Sequence, residues 1–374
     1  MNEMSRISRR SFGAGALGAA GLALLAACGQ GAQAGASGAS SGAGGGGGGG
    51  TGTYANKGMD FFFFVMLAES IKRRTEELGF TYNSTDAKQD SSQQFNQAKT
   101  LLVQKPSFLV VDTVDSGAWA PIATQTKGAK VPFGAVDSLV TDGEIDFQVA
   151  FDNSMAGTLA AQKTVELLKA KYGTERGQVF NGYGALSSAA WNARKIAFEA
   201  ELAKYPEIQL ISRPTDGSET TARQVAGATL SEFADLDAIH GPSDSITRGF
   251  ITAMQTADRL KKVGEEGHII VTTIDGEPQA LQWFRDGTVD APVSQDPVAY
   301  GEICVDMLTT YTAKGQAIPL GAYDNKDYFW ESSVIDSTPN GPVMTIPPYI
   351  IDKDNVEDPR QWANVVTQKW GIKQ

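Results

Sequence analysis

From about residue 59 onward the apolar positions follow two rhythms in turn. Helical spacing covers 63–78, 91–104, 154–171, 188–204, 220–233, 245–260, 277–286 and 298–312. Short apolar runs lie between most of these helices, at 80–84, 108–111, 131–136, 147–151, 178–181, 209–212, 238–240, 269–274 and 291–294. Runs such as Phe108-Leu109-Val110-Val111 are apolar throughout, as expected of strands buried on both faces. Strands alternating with helices predict parallel sheets in an α/β fold. Several runs end in a polar residue just before the next helix: Asp112, Asp137, Asp152, Asp275 and Gln295. In open α/β sheets the carboxyl ends of the strands border a crevice, so these tips predict a shared polar cleft. Any one of them reads equally well as a helix N-cap.

Composition narrows the class. A chain of 374 residues, 41% hydrophobic and 20% charged, has material for a sizeable core and suggests two domains. Its formal charge of -11 argues against a nucleic-acid binder. Two cysteines exclude a disulfide scaffold, and two histidines leave little for a His-based active site or metal cage. His240 ends a strand, His268 sits in a polar turn, and both read as structural. Asp352-Lys353-Asp354-Asn355 is acidic but lacks calcium-loop spacing. No cofactor and no metal is expected.

The first 27 residues read as an address. Arg6, Arg9 and Arg10 precede a small-residue apolar run of about 16 residues, too short for a span of ~20. Ser8-Arg9-Arg10-Ser11-Phe12 resembles a twin-arginine export signal, with an ordinary secretory leader as the alternative. Leu25-Ala26-Ala27-Cys28 resembles a bacterial lipobox, which implies lipidation of Cys28 and membrane attachment through that anchor alone. Removing residues 1–27 takes away three arginines and Glu3 and leaves a charge of -13. Residues 28–52 read as a lipidated tether, since 13 of the 24 positions after Cys28 are glycine. Its expected reach is roughly 25–30 Å. A dinucleotide-like glycine pattern at 13–18 and a nucleophile-elbow pattern at 38–42 lack the strand-turn-helix context their chemistry needs. Cys304, in an apolar helical stretch, reads as a buried inert thiol.

Several segments in order resemble the ribose-binding-protein family, the type I periplasmic binding proteins of sugar importers. They are Phe63-Phe64-Val65 before a helix ending Glu77-Leu78-Gly79; Val131-Pro132-Phe133-Gly134-Ala135-Val136-Asp137; Phe151-Asp152-Asn153; Ser188-Ala189-Ala190 with Arg194 and Phe198; Asp275-Gly276-Glu277-Pro278; and Ser294-Gln295-Asp296-Pro297. The resemblance spans about 59–315 and implies two Rossmann-like lobes joined by a three-segment hinge, with a ligand held between them. It places 53–152 with 296–325 in the N-terminal lobe and 153–295 with 326–374 in the C-terminal lobe, the last crossing following about Pro319. The chain departs from the family where Thr53–Gly58 is short and polar instead of an apolar first strand, and where Asp60 and Phe61 approach the aromatic pair. The stretch 328–351 is longer than a minimal member needs and has no assigned role.

The resemblance implies a solute-binding protein of an ABC importer, acting as a monomer with a monosaccharide or polyol in its cleft. Phe63 and Phe64 match stacking aromatics, and Trp191 offers a second platform; plain core packing is the alternative for the Phe61–Phe64 run. Asp137 and Asp275 are candidates for accepting hydroxyl protons, with Arg194 as a donor fork and Gln295 as donor and acceptor. Asp60, Ser243 and Asp244 complete the expected set, with Asp244 open to reading as an N-cap. The implied location is periplasmic, or the outer face of the cytoplasmic membrane. Three other classes stand beside this one. A ligand-presenting sensor cannot be separated from a transport receptor on sequence. An exported α/β enzyme lacks a nucleophile-base-acid set. A sugar-responsive transcription regulator would need a helix-turn-helix where this chain has an export leader.

Overall fold

A computed structural model describes residues 49–374, so the export signal, Cys28 and most of the tether lie outside the described residues. The chain runs β1 (Thr51–Asn56), α1 (Phe62–Glu77), β2 (Thr81–Asp86), α2 (Ser91–Val103), β3 (Phe108–Val111), α3 (Ala120–Ala129), β4 (Phe133–Val136) and β5 (Phe147–Phe151). It continues through α4 (Asn153–Tyr172), β6 (Gly177–Tyr183), α5 (Ala189–Leu202), β7 (Ile208–Pro214), α6 (Glu219–Glu232), β8 (Ala238–His240), α7 (Asp244–Thr256), β9 (Ile270–Asp275), α8 (Pro278–Arg285) and β10 (Ala291–Ser294). It ends with α9 (Pro297–Thr310), β11 (Gly321–Asp324), β12 (Ser332–Thr338), β13 (Gly341–Ile346), β14 (Tyr349–Ile350) and a short helical tail over 362–369.

These strands form two sheets, one in each α/β lobe. The first has the order β11-β12-β13-β5-β4-β3-β1-β2 and the second β14-β10-β9-β8-β6-β7. Pairing is parallel except where β11, β12 and β13 run antiparallel to one another and β14 runs antiparallel to β10. Strand β3 illustrates the layering. Phe108 and Val110 face the core under α1 and α9, whereas Leu109 and Val111 face Trp119, Ile122 and Leu101 under α2 and α3. An unbroken apolar run thus feeds two cores at a period of two.

The chain passes between the sheets three times, at Asp152 between β5 and α4, at Gln295-Asp296 between β10 and α9, and at Pro347-Pro348 between β13 and β14. Asp152 and Asp296 are N-caps at these passages, accepting from Met155 N at 2.8 Å and Ala299 N at 3.0 Å. The third passage lies later than expected. Residues 332–346, expected in the second lobe, belong to the first sheet, because β13 pairs in parallel with the open edge of β5. Val343, Met344 and Ile346 are buried there, and an unpaired strand edge is covered. This gives the long 328–351 stretch its structural place.

The first strand also corrects the sequence reading. Thr51–Asn56 is polar, yet it is a strand between β2 and β3 that starts two residues inside the span read as tether. Its neighbours explain it. Thr53 Oγ1 donates to Phe108 O at 2.9 Å, and Gly52 lies against the Phe108 ring, where a Cβ would come within 2.2 Å of Cζ. The helix α3, absent from the sequence pattern, starts behind Trp119 with Pro121 in its first turn, where a missing N–H costs no helix bond.

Helix α4 crosses α5 at Gly157. A Cβ there would stand 2.4 Å from the Arg194 carbonyl oxygen, a backbone atom that cannot swing away. Gly227, inside α6, has nothing within 4 Å of the same position. One substitution should therefore act in opposite directions. Gly157→Ala is expected to lower unfolding stability by about 1–3 kcal/mol. Gly227→Ala is expected to raise it by roughly 0.5–1 kcal/mol. Urea denaturation of the two variants checks the pair, and a Gly157→Ala protein as stable as the parent contradicts the close crossing.

Candidate functional site

Parallel strands in both sheets send their carboxyl ends toward the same place. Between them lies a narrow cleft, lined by Lys57, Phe61, Phe63, Phe64, Asp137, Ser188, Ala190, Trp191, Arg194, Ser243, Asp275 and Gln295. Of the candidate residues, Phe63, Phe64, Asp137, Trp191, Arg194, Ser243, Asp275 and Gln295 are brought together here. Asp60 and Asp244 are not. Asp60 is exposed outside the cleft, where its Oδ1 accepts from Gln89 Nε2 at 3.2 Å. Asp244 is fully buried behind the wall, accepting from Thr273 Oγ1 at 2.6 Å and Glu277 N at 2.7 Å. It is the first residue of α7, whose N-cap is Ser243, so its carboxylate braces the loop under Asp275.

The first lobe contributes Lys57 and Asp137. Lys57 follows β1 and is buried, so its charge must be answered nearby. Its Nζ donates to Ser138 Oγ at 2.5 Å, pairs with Asp112 Oδ1 at 3.1 Å and Asp137 Oδ2 at 3.6 Å, and sits 5.2 Å from the centre of the Phe64 ring. An ammonium has three protons to give; Ser138 and Asp112 are near enough to take two, and Asp137 adds opposite charge from just beyond hydrogen-bond distance. Burial pushes the Asp112 carboxyl up to about 7 against the pull of Lys57. Asp137 stands in the left-handed region at φ 59, and among the described residues no donor reaches its Oδ1.

The second lobe contributes Arg194, Asp275 and Gln295. Arg194 is anchored by Nε to Asn153 Oδ1 at 2.7 Å and by Nη1 to Pro242 O at 2.6 Å and Asp275 Oδ1 at 3.3 Å. Its Nη2 has no protein acceptor among the described residues. Asp275 Oδ1 also accepts from Gln295 Nε2 at 2.5 Å, and Oδ2 accepts from Asp244 N at 3.3 Å. A carboxylate has about four acceptor positions, so roughly one remains. Gln295 Oε1 is in turn taken by Tyr300 Oη at 3.0 Å, so this amide orders Asp275 more than it serves a guest. Burial pushes the Asp275 carboxyl up to about 7; Arg194 and Gln295 pull it down, and the neighbouring Glu277 and Asp137 push it further up.

Aromatic rings close the remaining sides. Phe61 and Phe64 stack with centroids 5.5 Å apart, and Phe63 meets Phe64 edge-on at 5.9 Å. Phe63 also packs against Tyr300 and Trp362, so it serves the core and the cleft together. Trp191 lies beside Gly184 and Gly217, where an added Cβ would come within 2.6 Å and 2.3 Å of its ring. Neither histidine enters the cleft. His240 stacks on Phe198 at 4.1 Å and is held neutral by burial, its pKa lowered to about 3. His268 bonds Lys261 O and Asp290. Cys304 is fully buried, its thiol pushed up by burial.

Lys57, Phe61, Ser188 and Ala190 are the lining residues absent from the set expected from sequence. Lys57 was hidden because its strand was not recognised; its position at a strand's carboxyl end is the signal that would have found it. Chemically, the cleft presents ring faces, hydroxyls, one guanidinium edge and unfilled carboxylate acceptors. The charge of Lys57 is answered inside the protein by Asp112 and Asp137.

Comparison with known proteins agrees with this architecture. Residues 53–317 match the family model described as periplasmic binding protein domain. The ribose import binding protein of Salmonella typhimurium is 24% identical over 239 residues, covering 64% of this chain and 77% of that protein. The D-allose-binding periplasmic protein of Escherichia coli is 27% identical over 179 residues, covering 48% and 54%. In three dimensions the chain superposes on the periplasmic binding protein component of the arabinose ABC transporter from Shewanella sp. ANA-3 with TM-score 0.71 at 18% identity, covering 87% of this chain and 99% of that one. Two parallel-sheet lobes, three passages between them and a cleft at their strand ends place this chain in the periplasmic binding protein family.

Proposed function

We propose that this protein is the exported solute receptor of an ABC importer and that its cleft closes on a neutral sugar or polyol of monosaccharide size. The observation that carries this is the set of groups the protein leaves unfilled: acceptors on Asp137 and Asp275, donors on Arg194 Nη2, the Ser188 hydroxyl and the O–H of the capping Ser243, beside four aromatic rings. A sugar offers apolar C–H faces to the rings and hydroxyls that both donate and accept. The two cations are matched by Asp112, Asp137 and Asp275, so an anionic guest finds no free counter-charge. The relatives named above bind ribose, allose and arabinose by their names, which supports the same class of guest.

Closure follows from the two-sided lining. Phe61, Phe63, Phe64 and Asp137 come from the first lobe; Trp191, Arg194 and Asp275 come from the second. A guest touching both favours the closed arrangement by the difference in its contacts. The protein acts as a monomer, and lipid on Cys28 holds it at the outer face of the membrane, each buried CH₂ contributing about 0.8 kcal/mol. Transport requires docking of the closed form on the permease.

Asp137→Asn keeps a side chain that tolerates φ 59 but weakens the acceptor. It should lower affinity for the cognate sugar roughly 10–100-fold while the ligand-free melting temperature stays near the parent's. A panel of pentoses, hexoses and polyols, read by thermal shift and then calorimetry, provides the test. Unchanged affinity removes Asp137 from the contacts, and turnover of any panel member removes the receptor reading.

The raised Asp275 carboxyl gives a pH signature. Because its folded pKa lies above the unfolded value, it binds an extra proton between about pH 4 and 7. Its contribution to ligand-free stability is present at low pH and lost as pH rises through about 7. A hydroxyl donating to the ionised form reverses this for binding. Affinity should therefore rise by roughly 30-fold from pH 5.5 to 8, and Asp275→Asn should flatten the rise. Titration calorimetry across that range checks the sign.

The anchor has its own test. Cys28→Ser should move the exported protein from the membrane fraction to the soluble one, and retention at the membrane rejects lipidation as its tether.

A further inference from the structure

Trp362 does not line the cleft, yet it touches groups from both of its walls. It lies in the tail after β14, is 1% exposed, and rests against α8 of the second lobe and α9 of the first. Its ring stacks on Phe62 at 6.4 Å and meets Phe63 edge-on at 6.2 Å, both on α1 of the first lobe. Its Nε1 donates to the carbonyl oxygen of Asp275, in the second lobe, at 3.0 Å.

That carbonyl belongs to an unusual backbone. Asp275 has φ 133, a region that side-chain-bearing residues rarely adopt, and Gly276 follows at φ 74. Such a conformation persists where the surroundings over-determine it. Two donors hold the Asp275 carbonyl, Gln295 N at 3.2 Å and the Trp362 indole. The first comes from the passage just after the neighbouring strand β10; the second comes from the far end of the chain. Other tail contacts also reach both lobes. The Trp370 ring lies 4.7 Å from the Arg73 guanidinium of α1, and Gln374 Oε1 accepts from Gln279 N of α8 at 2.8 Å.

We propose that Trp362 is a positioning residue for the cleft, fixing the strained Asp275 backbone through its indole N–H and linking that acid to the Phe62-Phe63 wall when the lobes are closed. What Asp275 grips rests on the receptor reading above; the hold on its backbone does not. The lobes carry the two sides of this contact, so rotation apart breaks either the ring packing or the hydrogen bond. The tail thereby reads closure at the acid that binds the guest.

Trp362→Phe removes the donor and keeps a ring against Phe62 and Phe63. In the ligand-free protein, hydrogen–deuterium exchange should quicken about tenfold at the amides of Asp244, Glu277 and Gln295, which bond to Asp275 or to its brace Asp244, while β3 amides stay unchanged. Affinity for the best sugar of the panel should fall about tenfold in the parent background. It should change less than about twofold when Asp275 is already Asn, because the indole acts through that residue. Unchanged exchange at those amides overturns the proposal, as does an equal affinity loss in both backgrounds, which marks plain packing. If no sugar or polyol binds the unaltered protein, the receptor reading fails and the exchange result alone decides. Should Trp362→Phe fold poorly, Trp362→Met carries the same test with a long apolar side chain and no hydrogen-bond donor.

Discussion

A carboxylate taken out of water must be answered by donors before it can be offered to a guest, and Asp275 is the point where this structure meets that demand. Arg194 and Gln295 reach one of its oxygens, the Asp244 amide reaches the other, and the Trp362 indole fixes its carbonyl. Each partner imposes its own requirement. Arg194 must be held by Asn153 and Pro242, which needs α4 and α5 to cross at Gly157. Gln295 must be oriented by Tyr300 on α9, in the other lobe. The acid is thus the meeting point of both lobes and the tail.

The first lobe solves the same problem differently. There a buried lysine stands between two carboxylates, and its charge is matched inside the protein. The result is charge matching without a free cation. In the proposed reading, this internal pairing is what favours an uncharged, hydroxylated guest over an acidic one.

Much of this was legible in the residues, for identifiable reasons. Strands buried on both faces announce themselves as apolar runs, unbroken in β3 and β4 and interrupted by only one to three polar residues in β5, β9 and β10, and the polar tips at their ends marked the cleft. The tips divided physically: Asp152 caps a helix at the first passage between lobes and Asp112 is buried against Lys57, whereas Asp137, Asp275 and Gln295 line the hollow, the first two at positive φ. Strand β1 escaped because its burial comes from neighbours such as the Phe108 ring, not from its own side chains; with it went Lys57. The β11–β13 ribbon escaped because antiparallel strands on a sheet edge expose one face, as Val334 and Asp336 do, and read as a weak alternation. Asp60 and Asp244 were correct in neighbourhood and wrong in direction, since a linear pattern does not say which way a loop side chain turns.

The sheet order carries a consequence for biosynthesis. The first sheet places β13, near the chain's end, between β12 and β5, while β1, from its beginning, lies three strands beyond β5. The lobe that contains residue 51 therefore cannot complete its sheet until residue 346 has left the ribosome. Its assembly is governed by contacts between remote parts of the polypeptide, which close slowly. A chain threaded unfolded through a pore would have to postpone this lobe until translocation was nearly finished, whereas one exported after folding could complete it beforehand, under the care of cytoplasmic chaperones.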